Sequence, residues 1–131
     1  MTVYSKVQVD KWLKEYDSGL ALDSNGVCYL RSQKRVEVAL SVSPDETKVM
    51  LYAALRQYVS GNEALLQKAM AMNLYQEVSS AGCVAFDPQN SAIVYTAVMT
   101  GKDQHDERDR FHGNLTAFFE NAAQLTEQLA R

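Results

Sequence analysis

The sequence predicts an α+β domain built around a twisted antiparallel sheet. Short apolar-rich segments recur between turns that contain Gly, Pro, Asn or Asp, which is typical of strands joined by hairpins. Three other segments repeat apolar residues every three or four positions, which indicates amphipathic helices. With 131 residues the chain is expected to form one domain, residues 1–131, with the element order α-β-β-β-α-β-β-α.

The first helix is predicted to start after Ser5, which has the spacing of a capping box with Gln8. Apolar residues then recur at helical intervals, at Val9, Trp12, Leu13 and Tyr16. The helix is expected to end at residues 17–19, where Gly19 suits the position after a helix C-terminus.

An antiparallel meander is predicted next. The segments LALD (20–23) and VCYLR (27–31) flank an Asn-Gly turn, and VEVALSV (36–42) alternates apolar with other residues. The segment KVMLYAAL (48–55) is apolar at both alternating sets of positions, so it would present an apolar surface on each side of the sheet. Such strands are typical of sheets that are covered twice. Three helices are too few for that, so the sequence leaves the cover of the second face open.

The second half predicts a short methionine-rich helix, a hairpin and a long helix. The short helix starts at Ser60 or Asn62 and ends near Leu74, and the hairpin joins residues 82–87 to 92–99. The last helix, about 103–131, carries a near-heptad seam of apolar residues: Phe111, Leu115, Phe118, Ala122, Leu125 and Leu129. This seam predicts one long amphipathic helix at the end of the chain. Residues 1–4 and 56–62 are not assigned a role.

Composition narrows the classes of partner. The net charge is −3 and the pI about 5.3, which argues against nucleic acid because a phosphate-binding surface needs clustered positive charge. No apolar run approaches the ~18 residues of a membrane span, and the N-terminus lacks the apolar core of a signal peptide. We therefore expect a cytoplasmic protein without membrane contact. A disulfide between Cys28 and Cys83 is not favoured in that compartment, but the sequence leaves their state open.

Catalytic chemistry finds little support in the sequence. His105, Asp109 and His112 could share one face of the last helix and bind a metal, but the surrounding charges are more typical of a solvated helix start. The chain carries no phosphate-binding loop, no nucleophile elbow and no paired cysteines. We therefore predict no enzyme activity, no cofactor and no metal.

The order of these elements resembles a known family, the class I type III secretion chaperones of the Tir-chaperone (CesT-like) type. The resemblance is carried by GLALDSNGVCYLR (19–31), VEVALSV, KVMLYAAL, the long segment of residues 64–99 and the amphipathic last helix. It spans nearly the whole chain. It consists of order and pattern rather than a catalytic signature.

The resemblance implies a bacterial cytoplasmic homodimer that binds the N-terminal region of a secreted effector, keeps it extended and targets it to the secretion apparatus without using ATP. The secretion ATPase is a further partner that the resemblance implies. Effector contacts are expected around the first helix and first strands, at Trp12, Leu13, Tyr16, Leu22, Tyr29, Val38, Leu40 and Leu51. Dimer contacts are expected at Leu66, Met70, Leu74, Cys83 and Ala85.

A second interpretation belongs to a different class of protein. The same aromatic residues could line an internal pocket of a small-ligand-binding or sensory α+β domain. A chaperone is expected to be dimeric and to carry no endogenous small molecule in native mass spectrometry. A ligand-binding domain is expected to carry one or to be stabilised by metabolites.

Overall fold

The computed structural model describes residues 4–31, 36–75, 82–100 and 107–130. In chain order the elements are α1 (Lys6–Tyr16), β1 (Val27–Arg31), β2 (Glu37–Val42), β3 (Lys48–Gln57), α2 (Glu63–Tyr75), β4 (Cys83–Asp87), β5 (Ala92–Thr100) and α3 (Glu107–Leu129). The strands form one antiparallel sheet in the order β1-β2-β3-β5-β4. The predicted α+β class and element order are confirmed.

The helix starts follow from side-chain caps. The Ser5 hydroxyl accepts a hydrogen bond from the Gln8 N–H at 3.1 Å, as its capping-box spacing predicted. In α2 the Asn62 side-chain oxygen accepts from the Leu65 N–H at 3.3 Å. Of the two predicted starts of this helix, Asn62 is therefore the cap.

The predicted strand at 20–23 does not form, and Asp23 is the reason. Its N–H donates to the Val27 carbonyl at 2.8 Å, as in a hairpin. Its carboxylate, however, accepts the N–H groups of Asn25 and Val27 at 2.8 and 2.9 Å. A side chain that bonds its own neighbourhood in this way competes with a backbone ladder, so the pairing stops after one step.

The core lies between one face of the sheet and the helices. The predicted seam of α3 is buried at every position, and Phe118 stacks on Tyr95 of β5 with ring centroids 4.7 Å apart. Trp12 of α1 packs against Phe111 at 5.4 Å. We call this covered side of the sheet the inner face. It also buries the alternate strand residues Leu30, Val38, Leu40, Val49, Leu51, Ala53, Ile93 and Tyr95.

Strand β3 contains a bulge and continues beyond its predicted end at residue 55 to Gln57. The register with β5 shifts between Ala54 and Arg56, which places Arg56 opposite the inner-face residue Ile93. The Arg56 guanidinium then donates to the Leu129 carbonyl at the end of α3, where a cation is favourable. Residues 56 and 57, which had been assigned no role, therefore continue the sheet. None of the described helices is long and apolar enough to cross a membrane.

Candidate functional site

The β1 strand forms one edge of the sheet, and Tyr29 lies at its centre. Gly26 accepts a backbone hydrogen bond from Val42, so the register places Cys28 and Leu30 in hydrogen-bonded pairs with β2. The intervening residues Val27 and Tyr29 then direct their backbone groups away from β2. Asp23 satisfies those of Val27, but no strand in the described part of the chain pairs with those of Tyr29.

The side of the sheet opposite the core carries exposed apolar residues. We call it the outer face, and its members alternate with the buried strand residues: Tyr29, Ala39, Met50, Tyr52, Ala54, Thr96 and Val98. Tyr29 is 76% exposed and Val98 56% exposed. The β3 residues Met50 and Tyr52 belong to this face, whereas Val49, Leu51 and Ala53 are buried in the core. The described helices pack on the inner face, so this apolar surface starts at the open β1 edge and remains accessible.

A hydrogen bond across the outer face shields part of it. The Tyr52 hydroxyl on β3 donates to the Asp87 carboxylate on β4 at 2.6 Å. Since β5 lies between these strands, the tyrosine crosses over β5, where Val94 is buried. The hydrogen bond from Tyr52, with that from Asn90, lowers the pKa of the Asp87 carboxyl. Burial and the same hydrogen bond raise the pKa of the Tyr52 hydroxyl.

The residues expected to contact an effector separate into two groups. Trp12, Leu13, Val38, Leu40 and Leu51 are buried beneath the helices, so a partner could reach them only by displacing part of the core. The accessible ones are Tyr16, which is 38% exposed, the half-buried Leu22 and Tyr29. The resemblance to the family, rather than the strand alternation, was the basis for expecting these residues in the site.

A second apolar surface lies on α2 and β4. We call it the α2 surface, and it consists of the five residues expected at a dimer interface: Leu66, Met70, Leu74, Cys83 and Ala85. Leu66, Met70 and Leu74 follow one another at four-residue spacing, so they share one side of α2. Met70 is 43% and Leu74 72% exposed. Because α2 packs beside β4, the structure brings all five residues to neighbouring elements.

Two features of this surface region were missed in the sequence. Val98 has the same parity as Thr96 in β5, so the alternation itself could have placed it on the outer face. The side-chain amide of Asn73 bonds the backbone of Val84 through both its nitrogen and its oxygen. No sequence pattern marked Asn73, because such a contact depends on how α2 packs against a strand that follows it in the chain.

The residues considered for metal binding and redox chemistry occupy unrelated surroundings. His105 lies outside the described residues, Asp109 is exposed and His112 Nε2 lies 2.8 Å from the Trp12 carbonyl oxygen. Among the described residues no three His, Cys, Asp or Glu side chains come together as metal ligands. Cys28 is buried, which raises the pKa of its thiol, whereas Cys83 is exposed, and both are free.

A cleft beside α3 bears on the ligand-binding interpretation. It has a volume of 220 Å³ and is lined by residues of β3, β5 and α3 and by Tyr4. The Tyr4 hydroxyl donates to Glu107, and burial together with this acid raises the pKa of Tyr4 to about 12. Ligand pockets for drug-sized molecules usually measure about 300–1,000 Å³. The cleft is thus small for such a role, and Trp12, Tyr16, Tyr29 and Tyr52 do not line it.

Replacing Tyr52 by Phe is expected to raise the pKa of Asp87 towards its ordinary value. The folded protein holds this pKa low, so the interaction stabilises the fold above the ordinary pKa and is lost as the pH falls through the folded value. The stability difference between wild type and Tyr52→Phe should therefore shrink as the pH falls from the ordinary carboxyl pKa through the lower pKa of the folded protein. NMR titration of the Asp87 carboxyl measures the shift, with Tyr29→Phe as the control. An unchanged Asp87 pKa in Tyr52→Phe would contradict the assigned cause.

Trp12 and Tyr16 are expected to respond differently to truncation, although both lie on α1. Trp12 is 5% exposed and contacts Tyr4 and Phe111, so Trp12→Ala should lower the free energy of unfolding by about 3–5 kcal/mol. Tyr16→Ala removes a partly exposed ring and should cost less than about 1 kcal/mol. Urea unfolding measures both values. Equal losses in the two variants would mean that Tyr16 belongs to the core.

Comparison with known proteins adds a family and a fold. The family model of the Tir chaperone protein (CesT) family matches residues 11–126. Among curated proteins, no significant match is found. The fold is similar to that of a chain in the HopA1–SchA chaperone–effector complex, with a TM-score of 0.69 and 13% identity over 96% of this chain and 95% of that one. The fold is also similar to that of a chain in the ExsC–ExsE complex, with a TM-score of 0.74 and 18% identity over 98% of this chain and 97% of that one.

The fold by itself does not distinguish functions. YbjN from E. coli, described as a putative transcription regulator, has a TM-score of 0.69 and 13% identity over 96% of this chain and 92% of that one. The family model is the more specific finding, because it matches the sequence itself from the middle of α1 to the last turns of α3. On that evidence the chain belongs to the Tir chaperone (CesT) family, whose members are type III secretion chaperones.

Proposed function

We propose that this protein is a bacterial cytoplasmic chaperone that binds the N-terminal region of a secreted effector, keeps that region extended and targets it to a type III secretion apparatus. The observation that carries the proposal is the strand edge at Tyr29, which has no second partner strand in the described part of the chain and continues into the apolar outer face. Membership of the CesT family and the similar fold of a chain in a chaperone–effector complex support it.

Strand addition at β1 is the proposed mode of binding. An extended effector segment places its own backbone groups opposite the outward N–H and C=O of Tyr29. Such backbone bonds are independent of sequence and hold the segment extended, while nearby side chains select it. Tyr29, Leu22 and Tyr16 are the accessible members of the expected site and would make the first side-chain contacts. Trp12, Leu13, Val38, Leu40 and Leu51 would then support these contacts from the core beneath.

The energetics require a long interface. A disordered segment loses conformational entropy when it is held extended, so it must bury a large area to bind. The outer face supplies apolar surface next to the edge, and Met50 and Val98 form a cross-strand pair on it. Burial of such surface is favourable without nucleotide hydrolysis. The proposed cycle therefore uses no ATP in the chaperone itself, and the secretion ATPase is proposed as the partner that receives the complex.

We also propose that the chain forms a homodimer through the α2 surface. A two-fold interface brings the same patch of both subunits together, and Leu66, Met70 and Leu74 form an apolar ridge suited to such contact. Cys83 and Ala85 beside the ridge are small, which permits close approach of a second copy. The β1 edge lies at the opposite end of the sheet from β4. Both subunits would thus keep that edge free for an effector.

Changes at Tyr29 test effector binding. Tyr29→Ala removes a central exposed aromatic and should weaken binding at least ~10-fold, as for a typical interface anchor. Tyr29→Pro removes the outward N–H and spares the hydrogen-bonded pairs with β2, so it should also weaken binding. The effector is first recovered together with the tagged chain from its own bacterium and identified by mass spectrometry. Calorimetry then measures the affinity of each variant for this effector.

Val7→Ala is the matched control, because Val7 is exposed on α1 and lies outside the proposed site. Its affinity and the melting temperature of all three variants should stay near the wild-type values. Full affinity in both Tyr29 variants would refute the site. Weak binding by Tyr29→Ala with normal binding by Tyr29→Pro would refute strand addition and leave a side-chain contact.

Met70→Glu tests the homodimer. It places a charge in the middle of the α2 surface, and an unpaired charge at an apolar interface costs several kcal/mol. Sedimentation should therefore give twice the 14.7 kDa chain mass for the wild type and a single chain mass for the variant. Lys68→Glu also makes α2 more negative, but Lys68 is exposed and lies two residues from Leu66 and from Met70, so it belongs to another side of the helix. This variant should remain dimeric. A monomeric wild type at micromolar concentration would refute the proposal.

A further inference from the structure

The two edges of the sheet differ in how their backbone groups are satisfied. At β1 the groups of Tyr29 have no strand partner in the described chain. At β4, on the opposite edge, the Val84 carbonyl accepts a hydrogen bond from Asn73 Nδ2 at 2.8 Å. The Val84 N–H donates to Asn73 Oδ1, also at 2.8 Å. One side chain of α2 therefore satisfies both outward backbone groups of Val84.

The carboxamide of Asn73 substitutes for a neighbouring strand. It presents a donor and an acceptor side by side, as a peptide group does. Val84 is 2% exposed, so its edge is also covered from solvent. Exposed strand edges with free N–H and C=O groups are templates for pairing with another chain. Asn73 removes that template at Val84, and the other residue of β4 with outward backbone groups is Phe86.

The packing of α2 fixes the position of this side chain. Leu65 and Ala69 are buried in the core, and Asn73 follows them at the same four-residue spacing, so all three lie on one side of the helix. Burial of the first two brings the third to the strand. The ridge of Met70 and Leu74 faces away from this side, because both residues are exposed.

We propose that Asn73 closes the β4 edge at Val84 against strand addition and so directs an extended partner to the β1 edge. The closure is a property of the chain alone. The identity of the partner as an effector segment rests on the proposed function. Asn73 is thus a positioning residue that determines which edge of the sheet is used, without touching the partner.

Asn73→Ala tests the closure in the free protein. Amide hydrogen exchange of Val84 should become about tenfold faster, as expected from the loss of one hydrogen bond, while exchange of Tyr95 in β5 stays unchanged. The opened edge should also pair with a second copy. Sedimentation velocity should then show a larger rise of average mass with concentration than for the wild type. Gln67→Ala, which removes an exposed polar side chain of the same helix, should match the wild type in both measurements.

Asn73→Leu separates the hydrogen bonds from the bulk of the side chain. It fills a similar volume without a donor or an acceptor, so it also serves if the alanine variant does not fold. Faster exchange of Val84 in this variant supports the proposal. Wild-type protection of the Val84 amide in both variants would overturn the proposal. Faster exchange of this amide without added association would also overturn it, because helix α2 rather than Asn73 would then close the edge. None of these outcomes depends on an effector, so they remain separate from the test at Tyr29.

Discussion

The structure depends on one constraint: the helices that pack on the core can cover only one face of a five-stranded sheet. α1 and α3 lie against the inner face, where the seam of α3 and the alternate residues of the strands are buried together. Burial of this apolar area is the main favourable term in folding. It leaves the outer face and both sheet edges to be satisfied by other means, and those means determine what the molecule can bind.

The outer face is covered to different extents along the sheet. Towards β4 the bond between Tyr52 and Asp87 crosses over β5, and Val94 is buried. Towards β1 the surface is open, and Tyr29 projects from the edge strand. A phenol ring with a satisfied hydroxyl covers apolar surface at little polar cost. The accessible apolar residues of the outer face therefore extend from Tyr29 on the β1 edge to Met50 on β3 and Val98 on β5.

Local sequence signals predicted the elements because each arises within a few residues. Ser5 caps α1 through its own neighbour, and the spacing of Phe111, Leu115 and Phe118 fixes the buried side of α3 before any tertiary contact exists. Asp23 shows the limit of such signals. Its sequence context suggested a hairpin, but its carboxylate takes the N–H groups around the turn and ends the pairing.

The site was harder to predict, since it depends on which side of each strand meets the helices. A period of two divides the residues of β2 and β3 into two sets, and both sets are apolar in β3. The resemblance placed Val38, Leu40 and Leu51 in the effector site without deciding which sheet face binds, and the register with β1 and β5 places them inside. Tyr29 was also expected from the resemblance, and its place on the edge strand β1 leaves it 76% exposed.

Helix α2 connects the two proposals about this chain. One side carries Leu65, Ala69 and Asn73 to the core and the β4 edge, while the other presents Met70 and Leu74. A contact that holds the exposed side in place also restrains the side that faces Val84, because both belong to one rigid helix. Dimer formation through the α2 surface would then stabilise the closed edge of each subunit. The energetic cost of opening β4 would rise on assembly, whereas β1, at the far end of the sheet, would stay available.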